Sequence, residues 1–140
     1  MKPVLLDTGV VVALLDRSER HHPQCADVVT RLGRPLVTCE AVIAESCYSL
    51  RNLSGAAEAV LENVARGVFL IPFQLSRAAT PVRKIMRKYS DQPADFADAC
   101  LVHLADELNT GEILTLDRDF AHYRWRKTRS FQLLIDLTVI

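Results

Sequence analysis

Four carboxylates in this sequence sit where a fold could gather them. Asp7 closes the apolar run Val4-Leu5-Leu6, and Asp117 closes Leu114-Thr115-Leu116, so each follows a short strand-like segment. In an open α/β sheet the carboxyl ends of the strands line the ligand crevice, and two parallel neighbours bring both aspartates to it. Either residue alone is equally well read as the cap of the next helix. Asp98 carries more information. At about 100° per residue it shares a helix face with Ala94, Leu101, Val102, Ala105 and Leu108, the stripe that packs on a sheet. An unpaired carboxylate buried there costs several kcal/mol, so it needs a cation, hydrogen bonds or a metal. Asp95, one turn earlier, lies toward the edge of that stripe and is as easily explained by the attraction of a helix N-terminus for negative charge. Glu45 lies nearly opposite Ile43 on its helix and, taken singly, reads as a solvated charge. As a set, Asp7, Glu45, Asp98 and Asp117 occupy the first strand, a helix after the second strand, a late helix and the strand after it. No lysine or arginine is obviously assigned to neutralise them. Converging carboxylates repel unless a divalent cation binds them, and hard oxygen donors select Mg²⁺ or Mn²⁺ over zinc.

The elements that would position these groups follow from apolar spacing and breakers. After the strand at 4–6, a turn leads into a helix over 10–15; Ala26, Val28, Val29 and Leu32 recur at helical spacing until Gly33. Leu36 to Thr38 reads as a second strand, 41–53 as a helix striped by Ile43, Cys47 and Leu50, 56–66 as another helix, and Val68 to Ile71 as a third strand. A helix around 76–89 contains Pro81, which predicts a later start or a kink. Pro93 fits a first-turn position with Asp91 as cap, opening a helix over 93–109 that ends at Asn109-Thr110-Gly111. The strand 112–117 and a last strand within Phe131 to Ile140 complete the chain. Strands alternating with helices predict an α/β fold with a mainly parallel sheet and right-handed crossovers. Asp7-Thr8-Gly9 therefore does not mark an acid protease: the residues after Gly9 read as helix, the tripeptide occurs once, and five glycines are too few for an all-strand protease.

The chain has 140 residues, 49% hydrophobic and 24% charged, which suits one compact domain over 1–140. Its 17 basic and 17 acidic side chains cancel, so any nucleic-acid signal must be local. No apolar run is long enough to span a bilayer and Met1-Lys2 leads straight into a strand, so a cytoplasmic protein without membrane association is expected. Cys25, Cys39, Cys47 and Cys100 form no C-x-x-C pair and read as reduced packing residues. His21, His22, His103 and His122 match no catalytic motif.

Together, the N-terminal strand ending in Asp-Thr, the Glu on the helix after the second strand, 98-DACLV-102 and 115-TLDRDF-120 resemble the PIN-domain ribonucleases, particularly VapC toxins. The resemblance covers nearly the whole chain. It implies a three-layer α/β/α sandwich with a mainly parallel central sheet and a Mg²⁺- or Mn²⁺-dependent endoribonuclease site. The family's acidic quartet falls on Asp7, Glu45, Asp98 and Asp117, with Thr8 and Asp119 as supporting groups and Asp95 as the second-ranked alternative to Asp98. It further implies an RNA substrate, a cognate antitoxin protein and a homodimer.

RNA must still be drawn to an acidic pocket. Residues 77–88 carry Arg77, Arg83, Lys84, Arg87 and Lys88 with no acid, and 122-HYRWRKTR-129 supplies Arg124, Arg126, Lys127 and Arg129 with Tyr123 and Trp125 interleaved. Basic groups contact phosphates and aromatics stack on unpaired bases, although an acidic antitoxin segment competes for the same charges. Two other function classes fit the acids less well. One is a catalytically silent PIN-like module that binds RNA or protein, and the other is a phosphotransfer or phosphatase domain using Asp7 as acceptor, for which Lys127 is the only late lysine.

Overall fold

The computed structural model describes residues 1–91 and 95–139. In chain order its elements are β1 (Val4–Leu6), α1 (Thr8–Leu15), α2 (His22–Leu32), β2 (Leu36–Val37), α3 (Glu40–Ser49), α4 (Ala56–Ala65), β3 (Phe69–Leu70), α5 (Leu75–Lys88), α6 (Phe96–Leu108), β4 (Glu112–Leu114), β5 (Arg124–Trp125), β6 (Arg129–Ser130) and β7 (Gln132–Leu133). Short 3₁₀ turns lie at Arg118–Ala121 and Leu137–Val139.

The central sheet runs β3-β2-β1-β4-β7, and each neighbouring pair in it is parallel. β1 is buried at every residue, which is why it reads as continuous Val-Leu-Leu rather than as an alternation. From β1 the chain steps to β2 and β3 in one direction, then returns to β4 on the other side of β1. Right-handed crossovers put α1 to α4 on one face and α5 and α6 on the other. The observed packing agrees: α1 meets α2, α3 and α4, and α5 lies along α6. The result is the three-layer α/β/α arrangement expected from the sequence. Its two directions of winding part between β1 and β4, where open α/β sheets hold ligands.

Helix α6 is buried at every residue from Ala97 to Ala105, so it is the apolar centre of its layer and not a half-exposed amphipathic helix. It touches β1, α3 and α5. Its N-cap is Asp95, whose side chain accepts from the Asp98 amide. Asp91 was expected to cap it; the carboxylate three residues before Asp98 does so instead, because an N-cap side chain reaches the N3 amide. Pro93 and Ala94 lie outside the described residues.

Other boundaries shift for local reasons. Gly9 makes no turn: Asp7 caps α1 directly, so the helix begins at Thr8. Helix α5 starts at Leu75 and continues through Pro81. The strand expected over 112–117 pairs only to Leu114, and Thr115 to Asp117 bend away with their polar groups bonded to one another. The tail supplies only Gln132–Leu133 to the sheet before its 3₁₀ turn; Ile140 lies outside the described residues. All four cysteines are free.

Tyr123 and Trp125, expected to stack on bases, are both buried. The Trp125 indole donates to the Ser130 carbonyl at 3.1 Å and lies over Gly111, where a Cβ would run into the ring. That close approach is what Gly111 is for. Gly111→Ala is therefore expected to cost about 1–3 kcal/mol by overpacking and to lower Tm by several degrees, read by thermal unfolding. A variant melting with the parent would show that the indole moves aside freely.

Candidate metal centre

Asp7, Asp98 and Asp117 converge, each offering a carboxylate oxygen within 4.8 Å of the others. Asp7 stands at the end of β1 and is 6% exposed. Its Oδ1 accepts from the Thr8 amide at 2.8 Å, and its Oδ2 accepts from the Thr115 hydroxyl at 2.6 Å. Thr115 is fully buried just past β4, and its Oγ1 in turn accepts from the Asp117 amide at 3.0 Å. One threonine thus orients two of the three acids. Asp117 caps the 3₁₀ turn, accepting at Oδ1 from the Asp119 amide at 2.9 Å.

Asp98 comes from the first turn of α6 and is 7% exposed. The Tyr123 hydroxyl donates to its Oδ2 at 3.0 Å. Burial and the neighbouring charge of Asp98 raise the phenol's pKa, which keeps it a donor. Asp95 and Asp119 are exposed beside the cluster: Asp95 Oδ1 accepts from the Asp98 amide at 2.8 Å, and the Asp119 amide is the one that donates to Asp117. Glu45 is exposed on α3 and stands outside the group of three, tied to it through Thr8, whose hydroxyl donates to Glu45 Oε1 at 2.8 Å.

Electrostatics give the site its character. Burial pushes the Asp98 carboxyl up to about 8, with the charges of Asp95 and Asp7 adding to it. Burial likewise pushes Asp7 up to about 6, against the lowering by its hydrogen bonds from Thr115 and Thr8. Asp117 is raised as well, again by burial first. None of the ion pairs among the described residues reaches these three carboxylates. Two buried carboxylates and a half-buried third, with no counter-charge among the described residues, are hard oxygen donors that fit a divalent cation. Asp7, Asp98 and Asp117 are the residues that would hold such an ion, their oxygens lying within 4.8 Å of one another.

Comparisons with known proteins identify the family and the fold. The PIN domain profile matches residues 4–126. The chain belongs to the PIN domain family. It is 32% identical over 117 residues to Ribonuclease VapC26 of Mycobacterium tuberculosis, covering 82% of this chain and 87% of that relative. The crystal structure of Mycobacterium tuberculosis VapC20, a sarcin-ricin loop cleaving toxin, aligns with a TM-score of 0.79 and 16% identity over 90% of this chain and 98% of that one. At that identity the likeness speaks for the fold.

Two residues of this PIN site escaped the sequence. Thr115 left a faint signal, a hydroxyl between two leucines just before Asp117. Tyr123 left none, because its partner Asp98 is 25 positions away. Of the basic residues, Arg83, Lys84, Arg87, Arg126 and Lys127 are exposed, whereas the half-buried Arg124 donates through Nη1 to the Ala121 and Tyr123 carbonyls at 3.0 and 2.9 Å.

The raised acids set a pH dependence whose sign is unusual. Their folded pKa values exceed the unfolded ones, so the folded chain binds more protons between about pH 4 and pH 8 and loses stability as pH rises through that window. In EDTA, Tm of the parent is expected to fall from pH 5 to pH 8 by roughly 5 °C relative to Asp98→Asn, which removes the most strongly raised carboxyl with little change in volume. Thermal unfolding of both chains checks this, and parallel pH profiles would contradict it.

Proposed function

We propose that this PIN domain is a Mg²⁺- or Mn²⁺-dependent endoribonuclease and the toxin of a toxin–antitoxin pair. The observation that carries the proposal is the uncompensated trio Asp7, Asp98 and Asp117 at the switch point of the sheet. The 32% identity to Ribonuclease VapC26 supports RNA as the substrate and an antitoxin as the protein partner.

Asp7, Asp98 and Asp117 are the proposed metal ligands, and Glu45 completes the acidic quartet from the open side of the site. A divalent ion bound there supplies an acidified water, a polarised phosphoryl oxygen and charge neutralisation at the leaving oxygen. The chain's own groups set geometry. Thr115 holds Asp7 and Asp117 in register, Tyr123 fixes one oxygen of Asp98, and the Thr8 hydroxyl, next to Asp7 in the chain, tethers Glu45. Asp95 and Asp119 add negative charge at the rim, which strengthens attraction for the cation.

The phosphotransfer alternative needs a lysine beside Asp7, but Lys127 lines a cavity against α5 instead. Continuity of one hydrophobic core supports a single domain over 1–140. The family resemblance supports a cytoplasmic homodimer. Among the described residues no helix is long and apolar enough to cross a membrane.

Cleavage of single-stranded RNA by the purified chain is expected with Mg²⁺ or Mn²⁺ and is expected to vanish in EDTA. Hydrogen-bond partners of metal ligands typically contribute about 10–100-fold, so Tyr123→Phe should fall in that range and Asp7→Asn should lose more. Circular dichroism confirms that both variants fold. Cleavage by Asp7→Asn at the parent's rate would remove Asp7 from the site, and cleavage undiminished by EDTA would sink the metal-dependent reading.

A further inference from the structure

Between α5 and the β5–β6 hairpin lies a cavity of about 300 Å³ that the carboxylates do not use. Lys84, Lys88, Arg124 and Lys127 stand around it. Among the described residues that line it, four cations stand with one acid, Asp106, whose Oδ1 accepts from the Arg126 amide at 2.6 Å. The remaining wall is formed by Pro81, Ile85, Val102 and the Tyr89 side chain.

The hairpin is held in this arrangement by its backbone. Arg126 and Lys127 have φ of 44° and 69°, the left-handed region that side chains other than glycine disfavour. Consecutive residues with positive φ are characteristic of tight β-hairpin turns, and they persist where surrounding bonds impose them. Here the imposing bonds are Asp106 to the Arg126 amide and Lys88 Nζ to the Lys127 carbonyl at 3.5 Å.

The cavity adjoins the metal centre. Tyr89 packs edge-on against Tyr123 with ring centroids 5.0 Å apart, and Tyr123 donates to Asp98. Two tyrosines therefore separate four cations from three carboxylates. We propose that this cavity is a nucleotide subsite for single-stranded RNA, taking the phosphate and base of a nucleotide that flanks the one at the carboxylates.

The proposal rests on the ribonuclease reading and extends it. An RNA strand carries one charge per nucleotide, so a strand passing a cluster of acids needs cations close by to hold its neighbouring phosphates. The apolar wall and the Tyr89 ring suit a base, and the lysines and arginine suit its phosphate, the combination used for unpaired nucleic acid. An acidic peptide would use the same cations, but nothing in its chemistry calls for a place beside the carboxylate trio.

The test is the full-length double variant Lys84→Gln/Lys88→Gln, measured by anisotropy against a labelled single-stranded RNA oligonucleotide in EDTA across a salt series. Affinity is expected to fall about tenfold, and the slope of log K against log salt by about 1.4, since each lost single-strand phosphate contact removes about 0.7. Lys84→Arg/Lys88→Arg should restore both, and the exposed Arg66→Gln should match the parent. An unchanged Mn²⁺-induced rise in Tm shows that the double variant folds with its carboxylates intact. Parent-like affinity and slope in the double variant overturn the subsite. So does a polyglutamate peptide that binds the parent more tightly than RNA and is lost in the double variant, which would assign the cavity to an acidic protein. A parent chain that binds RNA through these lysines yet cleaves none with Mn²⁺ leaves the subsite standing and removes the ribonuclease reading alone.

Discussion

The mutual repulsion of three converging carboxylates, two of them buried, is the constraint around which this PIN domain is arranged. Asp7, Asp98 and Asp117 come from a strand end, a buried helix and a 3₁₀ turn, and among the described residues no ion pair compensates them. A fold that only had to be stable would place leucine or alanine at position 98, in the run of buried residues from Ala97 to Ala105. Keeping an acid there costs stability in the metal-free chain and leaves a site that a divalent cation can complete.

Topology supplies the place and hydrogen bonds supply the aim. β1 and β4 are adjacent parallel strands whose connections leave on opposite sides, so the chain opens a crevice at their carboxyl ends. Thr115 and Tyr123 then fix individual oxygens of the acids that reach it. Around Tyr123 the aromatic rings of Tyr89 and Phe120 pack edge to face, each 5.0 Å away between centroids, which immobilises the hydroxyl that bonds Asp98. The same packing joins the acidic site to the basic hairpin through Tyr89 and Tyr123.

Much of this was legible in the sequence because it depends on local pattern. Asp7 and Asp117 end apolar runs, and Asp98 interrupts an apolar face; periodicity exposes both facts without a structure. The order of strands and helices was readable for the same reason, and the parallel sheet followed. Groups whose meaning depends on distant partners were not. Glu45, taken singly, looked like a solvated charge and entered the quartet only as part of a set; it is exposed, and its bond to Thr8, 37 positions earlier, left no local pattern. Tyr123 and Trp125 looked like base-stacking residues because they sit among arginines, but tertiary packing buries both. The cap of α6 was missed through attention to Pro93, although Asp95 stands three residues before Asp98, the spacing a capping side chain requires. The tail was overestimated as a strand because apolar composition alone does not distinguish a paired edge from a packed turn.

Competition between protons and metal for one set of oxygens is the central claim, and proton release reports on it directly. Burial and neighbouring charge hold Asp98 protonated up to about pH 8, so a cation entering the trio near neutral pH must displace that proton. Mn²⁺ binding measured by titration calorimetry in two buffers of different ionisation heat gives the number released. Release of about one proton per chain at pH 7, falling toward zero in Asp98→Asn, is the predicted result. Mn²⁺ binding with no proton released, or release identical in the two chains, would contradict the account.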